Sequence, residues 1–122
     1  VTIVATGHLV WESLLAADEL EKEGISCEII NIHTIKPLDE EIILKSVEKT
    51  GKIVSAEEHN YLGGLGESIA GMLARRRPTP QEFVAVHDTF GESGTPAELM
   101  KKYEIDADAV VKAVKKIIER TK

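Results

Sequence analysis

The spacing of apolar residues changes period several times along the chain. Val1 to Thr6 reads as a buried strand, and after Gly7 the pattern predicts a helix from about Leu9 to Glu23 with Val10, Leu14 and Ala17 on one face. Gly24 supplies its stop. Ile25 to Ile32 predicts a second strand. Asp39 then marks the N-cap of a second helix, with a hydrophobic staple between Leu38 and Ile43, lysines at Lys45 and Lys49 favouring its C-terminal end, and Gly51 closing it. Lys52 to Ala56 is a third strand. Past a glycine turn, Leu65, Ile69, Met72 and Leu73 form the stripe of a third helix, which Pro78 and Pro80 interrupt. Phe83 to Val86 is a fourth strand, and Gly91 to Gly94 a loop. Thr95-Pro96-Ala97-Glu98 is a capping box with proline at the first helical position. The last helix is capped by Asp106, stapled by Ile105 to Val110, and buries Val110, Val114, Ile117 and Ile118 while its lysines face water.

Strands alternating with helices require right-handed crossovers between parallel strands, so the expected fold is α/β, a three-layer α/β/α sandwich around a mostly parallel sheet. Residues 1–122 form one domain, a size that supports a real core. In this arrangement His8, His33, His59 and His87 each fall just past a strand and gather along the carboxyl edge of the sheet. That edge, where strand ends meet helix amino termini, is the usual ligand or partner crevice of open α/β sheets.

The composition is 43% hydrophobic and 30% charged, that of a globular protein, and no apolar run approaches the roughly 20 residues of a membrane-spanning helix. A net charge of -6 argues against a nucleic-acid partner. The one basic run, Arg75-Arg76-Arg77, ends a predicted helix and complements its dipole. The lone Cys27 excludes a disulfide framework and, with no signal peptide visible, points to a reducing, cytoplasmic setting. A chain that opens inside a core strand without an initiator methionine looks like a piece of something longer.

Candidate chemistry concentrates in residues 54–67. Four histidines with Glu57, Glu58 and Asp88 invite a metal site, but none of the tight spacings of known zinc motifs occurs and no metal is assigned. Gly63-Gly64-Leu65-Gly66 either cradles a phosphate or permits a tight turn and close contact between helix and sheet; Glu67 already supplies negative charge there, which favours the second reading. The turn after the first strand lacks the three-glycine dinucleotide fingerprint, the third strand ends without a receiver aspartate, and no Gly-x-Ser-x-Gly elbow is present. Glu57 or Glu58 with His59 suggests an acid/base pair, of which only Glu57 naturally shares a face with His59.

Four ordered segments, Thr2-Ile3-Val4-Ala5-Thr6-Gly7, Thr34-Ile35-Lys36-Pro37-Leu38-Asp39, Glu57 to Glu67, and Ser93-Gly94-Thr95-Pro96-Ala97-Glu98-Leu99, together resemble the C-terminal domain of transketolase over nearly the whole chain. Two relatives, deoxyxylulose phosphate synthase and the beta subunits of 2-oxo acid dehydrogenases, look more distant. The resemblance implies a module of a thiamine diphosphate enzyme that moves a two-carbon ketol unit between sugar phosphates. It further implies that thiamine diphosphate and a divalent metal, Mg or Ca, sit between two preceding domains, one binding pyrophosphate and one binding pyrimidine, in a homodimer. This domain then binds no cofactor, contributes dimer contacts, carries no catalytic residue and is inactive alone. The family sheet has five strands, the first antiparallel, and this chain shows four, expected in the order 2-1-3-4.

The alternative is a regulatory ligand-binding or partner-docking module that uses the crevice of Gly7, His8, Glu58, His59, Gly63 and Gly64.

Overall fold

The computed structural model describes residues 1–33, 37–60, 64–86 and 106–122. Within them lie four strands, β1 (Thr2–Ala5), β2 (Glu28–Asn31), β3 (Ile53–Asn60) and β4 (Gln81–Val86), and four helices, α1 (Leu9–Glu21), α2 (Glu40–Thr50), α3 (Leu65–Arg76) and α4 (Ala107–Arg120). The strands pair in parallel throughout, as their alternation with helices implies, and lie in the order β2-β1-β3-β4, as the family resemblance implies. The capping box at Thr95 and the staple residue Ile105 lie outside the described residues.

Alternation along the strands divides the core in two, because successive side chains of a strand point to opposite faces. Ile3 and Ala5 of β1, Val54 and Ala56 of β3, and Val84 of β4 pack with α1 and α4. Val4, Ile30, Ile32 and Ile53 pack with α2 and α3 on the other face. The two central strands, β1 and β3, thus feed both hydrophobic layers, giving the expected three-layer sandwich.

Local signals explain both ends of α2 and the start of α4. The Asp39 carboxylate accepts the Ile42 N–H at 3.4 Å, and Leu38 packs on the cluster that contains Ile43. Gly51 closes α2 with φ 75°, a left-handed turn that costs glycine little. Asp106 accepts the Ala109 N–H at 3.1 Å and starts α4, which buries Val110, Val111, Ala113, Val114 and Ile117. The α3 stripe of Leu65, Ile69, Met72 and Leu73 is buried as expected.

Three expectations are corrected. α1 turns Leu9, Ser13, Ala16 and Leu20 inward, so Leu14 faces out, and the helix ends at Glu21 with Gly24 in the following turn. Apolar residues on both sides of this helix made its periodicity ambiguous. β3 continues four residues past Ala56, carrying Glu57, Glu58 and His59 inside the strand. Finally, Arg75 and Arg76 do more than face the end of α3: they reach Glu40 at 3.7 and 2.9 Å, and Arg76 also meets Glu41 at 2.9 Å.

At the amino end of the sheet, the buried Thr2 hydroxyl lies 2.6 Å from Ser46 Oγ and 2.7 Å from Thr50 Oγ1. Ser46 in turn donates to Glu28 at 2.8 Å, and Lys49 pairs with Glu28 at 2.7 Å. The hydrogen bond from Lys49, then that from Ser46, pull the Glu28 carboxyl below its ordinary range.

Candidate functional site

The carboxyl end of β3 passes between the amino termini of α1 and α3, helices on opposite faces of the sheet. Consecutive strand residues point to opposite faces, so the adjacent pair Glu57 and Glu58 can serve both helices. Glu57 is only 1% exposed, and its two oxygens accept the N–H groups of Leu65 at 2.9 Å and Gly66 at 2.7 Å. Glu58 points the other way. Its Oε1 accepts the N–H of His8, the N-cap residue of α1, at 2.7 Å.

A helix amino terminus concentrates unpaired N–H groups and positive potential, which is why phosphates settle there. Here carboxylates of the chain itself take that place. Gly64 is the N-cap of α3 with φ -94° and ψ -161°, ordinary extended backbone with no side chain to cap the helix. The Glu57 carboxylate, arriving from the neighbouring strand, supplies what that N-cap lacks.

Glycine is required at two points of the arrangement. Gly7 has φ 56°, and a Cβ there would lie 3.4 Å from Glu58 Oε1. At Gly66 a Cβ would come within 2.5 Å of the Phe83 ring and 2.9 Å of Ser55 Oγ. Gln81 Nε2 closes the same corner by donating to Gly66 O at 2.9 Å and Ser55 Oγ at 3.1 Å. Close contact between helix and sheet is therefore what Gly66 provides.

Of the residues expected in the crevice, Gly7, His8 and Glu58 come together, and Gly64 stands at the start of the helix on the other face. Gly63 lies outside the described residues, as do His87 and Asp88. His59 belongs to β3 rather than to the loop beyond it. His8 is exposed with its Nε2 3.8 Å from Glu12, and His33 is exposed past β2. Sequence reasoning missed Glu57 as the anchor of α3. The available signal was a strand glutamate eight residues ahead of a helix that begins with glycine and no polar cap.

Among the described residues no group of three His, Cys, Asp or Glu side chains is placed to hold a metal ion. Three amide donors at this edge, the N–H groups of His8, Leu65 and Gly66, already donate to Glu58 and Glu57. No helix of the described residues is long and apolar enough to cross a membrane.

Fold and edge together define a parallel α/β/α domain whose switch-point crevice is braced from within. The chain belongs to the transketolase C-terminal domain family, whose model matches residues 1–110. It is 46% identical over 120 residues to a 6-deoxy-6-sulfo-D-fructose transketolase subunit of a Clostridium species, covering 98% of this chain and 37% of that protein. It is 39% identical to mouse transketolase over 121 residues, covering 98% of this chain and 19% of that one. Among solved structures, a split-gene transketolase described as an inactive beta4 tetramer matches with a TM-score of 0.93 and 43% identity, over 97% of this chain and 39% of the other. The chain thus spans well under half the length of these relatives.

Proposed function

We propose that this chain is the C-terminal structural and dimer-contact domain of a thiamine diphosphate-dependent transketolase, and that it performs no chemical step alone. The intact enzyme moves a two-carbon ketol unit between sugar phosphates in the cytoplasm. Thiamine diphosphate and a divalent metal are held there by preceding pyrophosphate-binding and pyrimidine-binding domains, in the same polypeptide or a separate subunit. The observation that carries this reading is the paired capping by Glu57 and Glu58, which commits both carboxylates and the N–H groups of His8, Leu65 and Gly66 to holding α1 and α3 in place. Family membership and the small share of each relative's length support it. The split-gene relative, described as inactive in a beta4 form, is consistent with such a division of labour.

The same carboxylates weigh against the alternative of an anion-binding regulatory crevice, since a phosphate would have to displace Glu57 from two amide groups. One relative's name gives a sulfonated ketose, 6-deoxy-6-sulfo-D-fructose, and the mouse protein's gives no sugar, so the proposal specifies ketol transfer and leaves the donor sugar open.

The test is a ketol-transfer assay and calorimetry on the 122-residue chain with thiamine diphosphate and magnesium. No turnover and no binding heat are expected. Measurable turnover, or stoichiometric cofactor binding, overturns the proposal.

A further inference from the structure

Two consecutive residues at the start of β4 tie that strand to a helix on each face of the sheet. β4 pairs with β3 on one side and has no strand partner on the other among the described residues. The Ile53 N–H donates to Pro80 O at 3.1 Å, so the Pro80 carbonyl faces β3. Successive carbonyls of a strand point opposite ways within the sheet, which turns Gln81 O to the free edge, where an unpaired acceptor invites another strand. Arg120, in the last turn of α4, takes that acceptor: its Nη2 donates to Gln81 O at 2.7 Å, and its Nε donates to the Glu82 carboxylate. Lys116 holds the other oxygen of Glu82 at 3.3 Å.

The side chains of Gln81 and Glu82 point to opposite faces. Glu82 lies with α4, whereas Gln81 reaches α3 through the bonds of its Nε2 to Gly66 O and Ser55 Oγ. Gly66 is thereby held at both backbone groups, its carbonyl by Gln81 and its N–H by Glu57 at 2.7 Å. Gln81 Oε1, in contrast, is buried and has no hydrogen-bond partner among the described residues. An acceptor left unmade inside a protein is costly, and water outside the corner would satisfy it. The amide keeps its place against that pull only while the backbone that carries it is fixed. β3 fixes one side of that backbone, and Arg120 fixes the other.

We infer that Arg120 is a positioning residue for the amino terminus of α3: through Gln81 it latches the corner around Gly66, so that the last turn of α4 and the glutamate-held crevice open together. Without the guanidinium the start of β4 loosens at its outer edge and Gln81 leaves the corner to hydrate Oε1. The Leu65 and Gly66 N–H groups then part from Glu57 more often. The coupling runs round the edge of the sheet from one outer layer to the other. It holds whichever reaction the intact enzyme performs, because its test reads amide exchange and not turnover.

Hydrogen exchange of individual amides is followed by NMR in the 122-residue chain. Arg120→Ala is expected to lower the protection of Leu65 and Gly66 about tenfold relative to that of Val47, which shares the core layer of Leu65 but lies outside the latch. Arg120→Lys keeps a charge beside Glu82 but lacks the fork that also reaches Gln81 O, and is expected to lower protection nearly as far. Gln81→Met, similar in size and without the amide, lowers the same protection by itself, and adding Arg120→Ala to it brings no further loss. Protection of Leu65 and Gly66 that follows Val47 in Arg120→Ala overturns the proposal. So does wild-type protection in Arg120→Lys, or a full effect of Arg120→Ala in the Gln81→Met background.

Discussion

Glu57 and Glu58 are neighbours in sequence, yet they hold the amino termini of helices on opposite faces of the sheet, Glu57 through Leu65 and Gly66 of α3 and Glu58 through His8 before α1. The two contacts differ in burial, and that difference predicts their strengths. Glu57→Gln exchanges one acceptor oxygen for an amide that faces an N–H group, inside the protein. A loss of about 2–3 kcal/mol is expected, since breaking a charged hydrogen bond and stranding its buried partner each count in that range. Glu58→Gln acts at a solvated contact and should cost under about 1 kcal/mol. Urea unfolding of both variants checks the order; equal or reversed effects would show that burial does not set it.

Two glycines of α3 should respond to alanine with opposite sign. Gly66→Ala drives a methyl group into the Phe83 ring and Ser55 and should destabilise by about 1–3 kcal/mol. At Gly71 the nearest atom to an added Cβ is Arg75 Nη1, 4.0 Å away, so Gly71→Ala should stabilise by about 0.5–1 kcal/mol through helix propensity. Phe83→Leu combined with Gly66→Ala should recover part of the loss. Thermal melts of the three variants decide.

Glu28 predicts a pH dependence. Its folded pKa is lowered, chiefly by Lys49 and then by Ser46, so the folded state gains stability above the unfolded value, near 4.5, and loses it as pH falls through the lower folded value. Glu28→Gln should be the less stable protein near neutrality and should lose less between about pH 6 and about pH 3.5. Urea midpoints for wild type and variant at those two conditions test it. Parallel acid-side losses would rule the residue out as a contributor.

Half-burial raises the Cys27 thiol pKa. Alkylation of dilute protein near pH 8.5 should be several-fold slower than that of a cysteine peptide. Unfolding the chain in urea removes the burial and should restore the peptide's rate; a rate unchanged by unfolding contradicts this account.

The parts of this structure legible in the sequence are those with local causes. Asp39 and Asp106 act as caps because the side chain reaches an N–H three residues on, and the α3 stripe needs only helical spacing. Strand order followed from the family resemblance and holds. The inward face of α1 was misread because Leu9, Val10, Trp11, Leu14, Leu15, Ala16 and Ala17 surround the helix with apolar groups, so spacing could not choose a side. β3 was cut short at Ala56 because Glu57-Glu58-His59-Asn60 looks like loop. The opposite directions of the two glutamates followed from strand geometry; what each one meets is tertiary, as is the corner that Phe83, Ser55 and Gln81 make around Gly66.

The slip in pairing between β3 and β4 has its own consequence. Ala56 lies opposite Val84 and Asn60 opposite Val86, so one strand advances four residues while its neighbour advances two. Glu57, Glu58 and His59 fall within that mismatch, where the regular backbone ladder is interrupted. The sheet surrenders cohesion between two strands at its rim, and the released length of chain becomes the fastening for the outer layers on both sides.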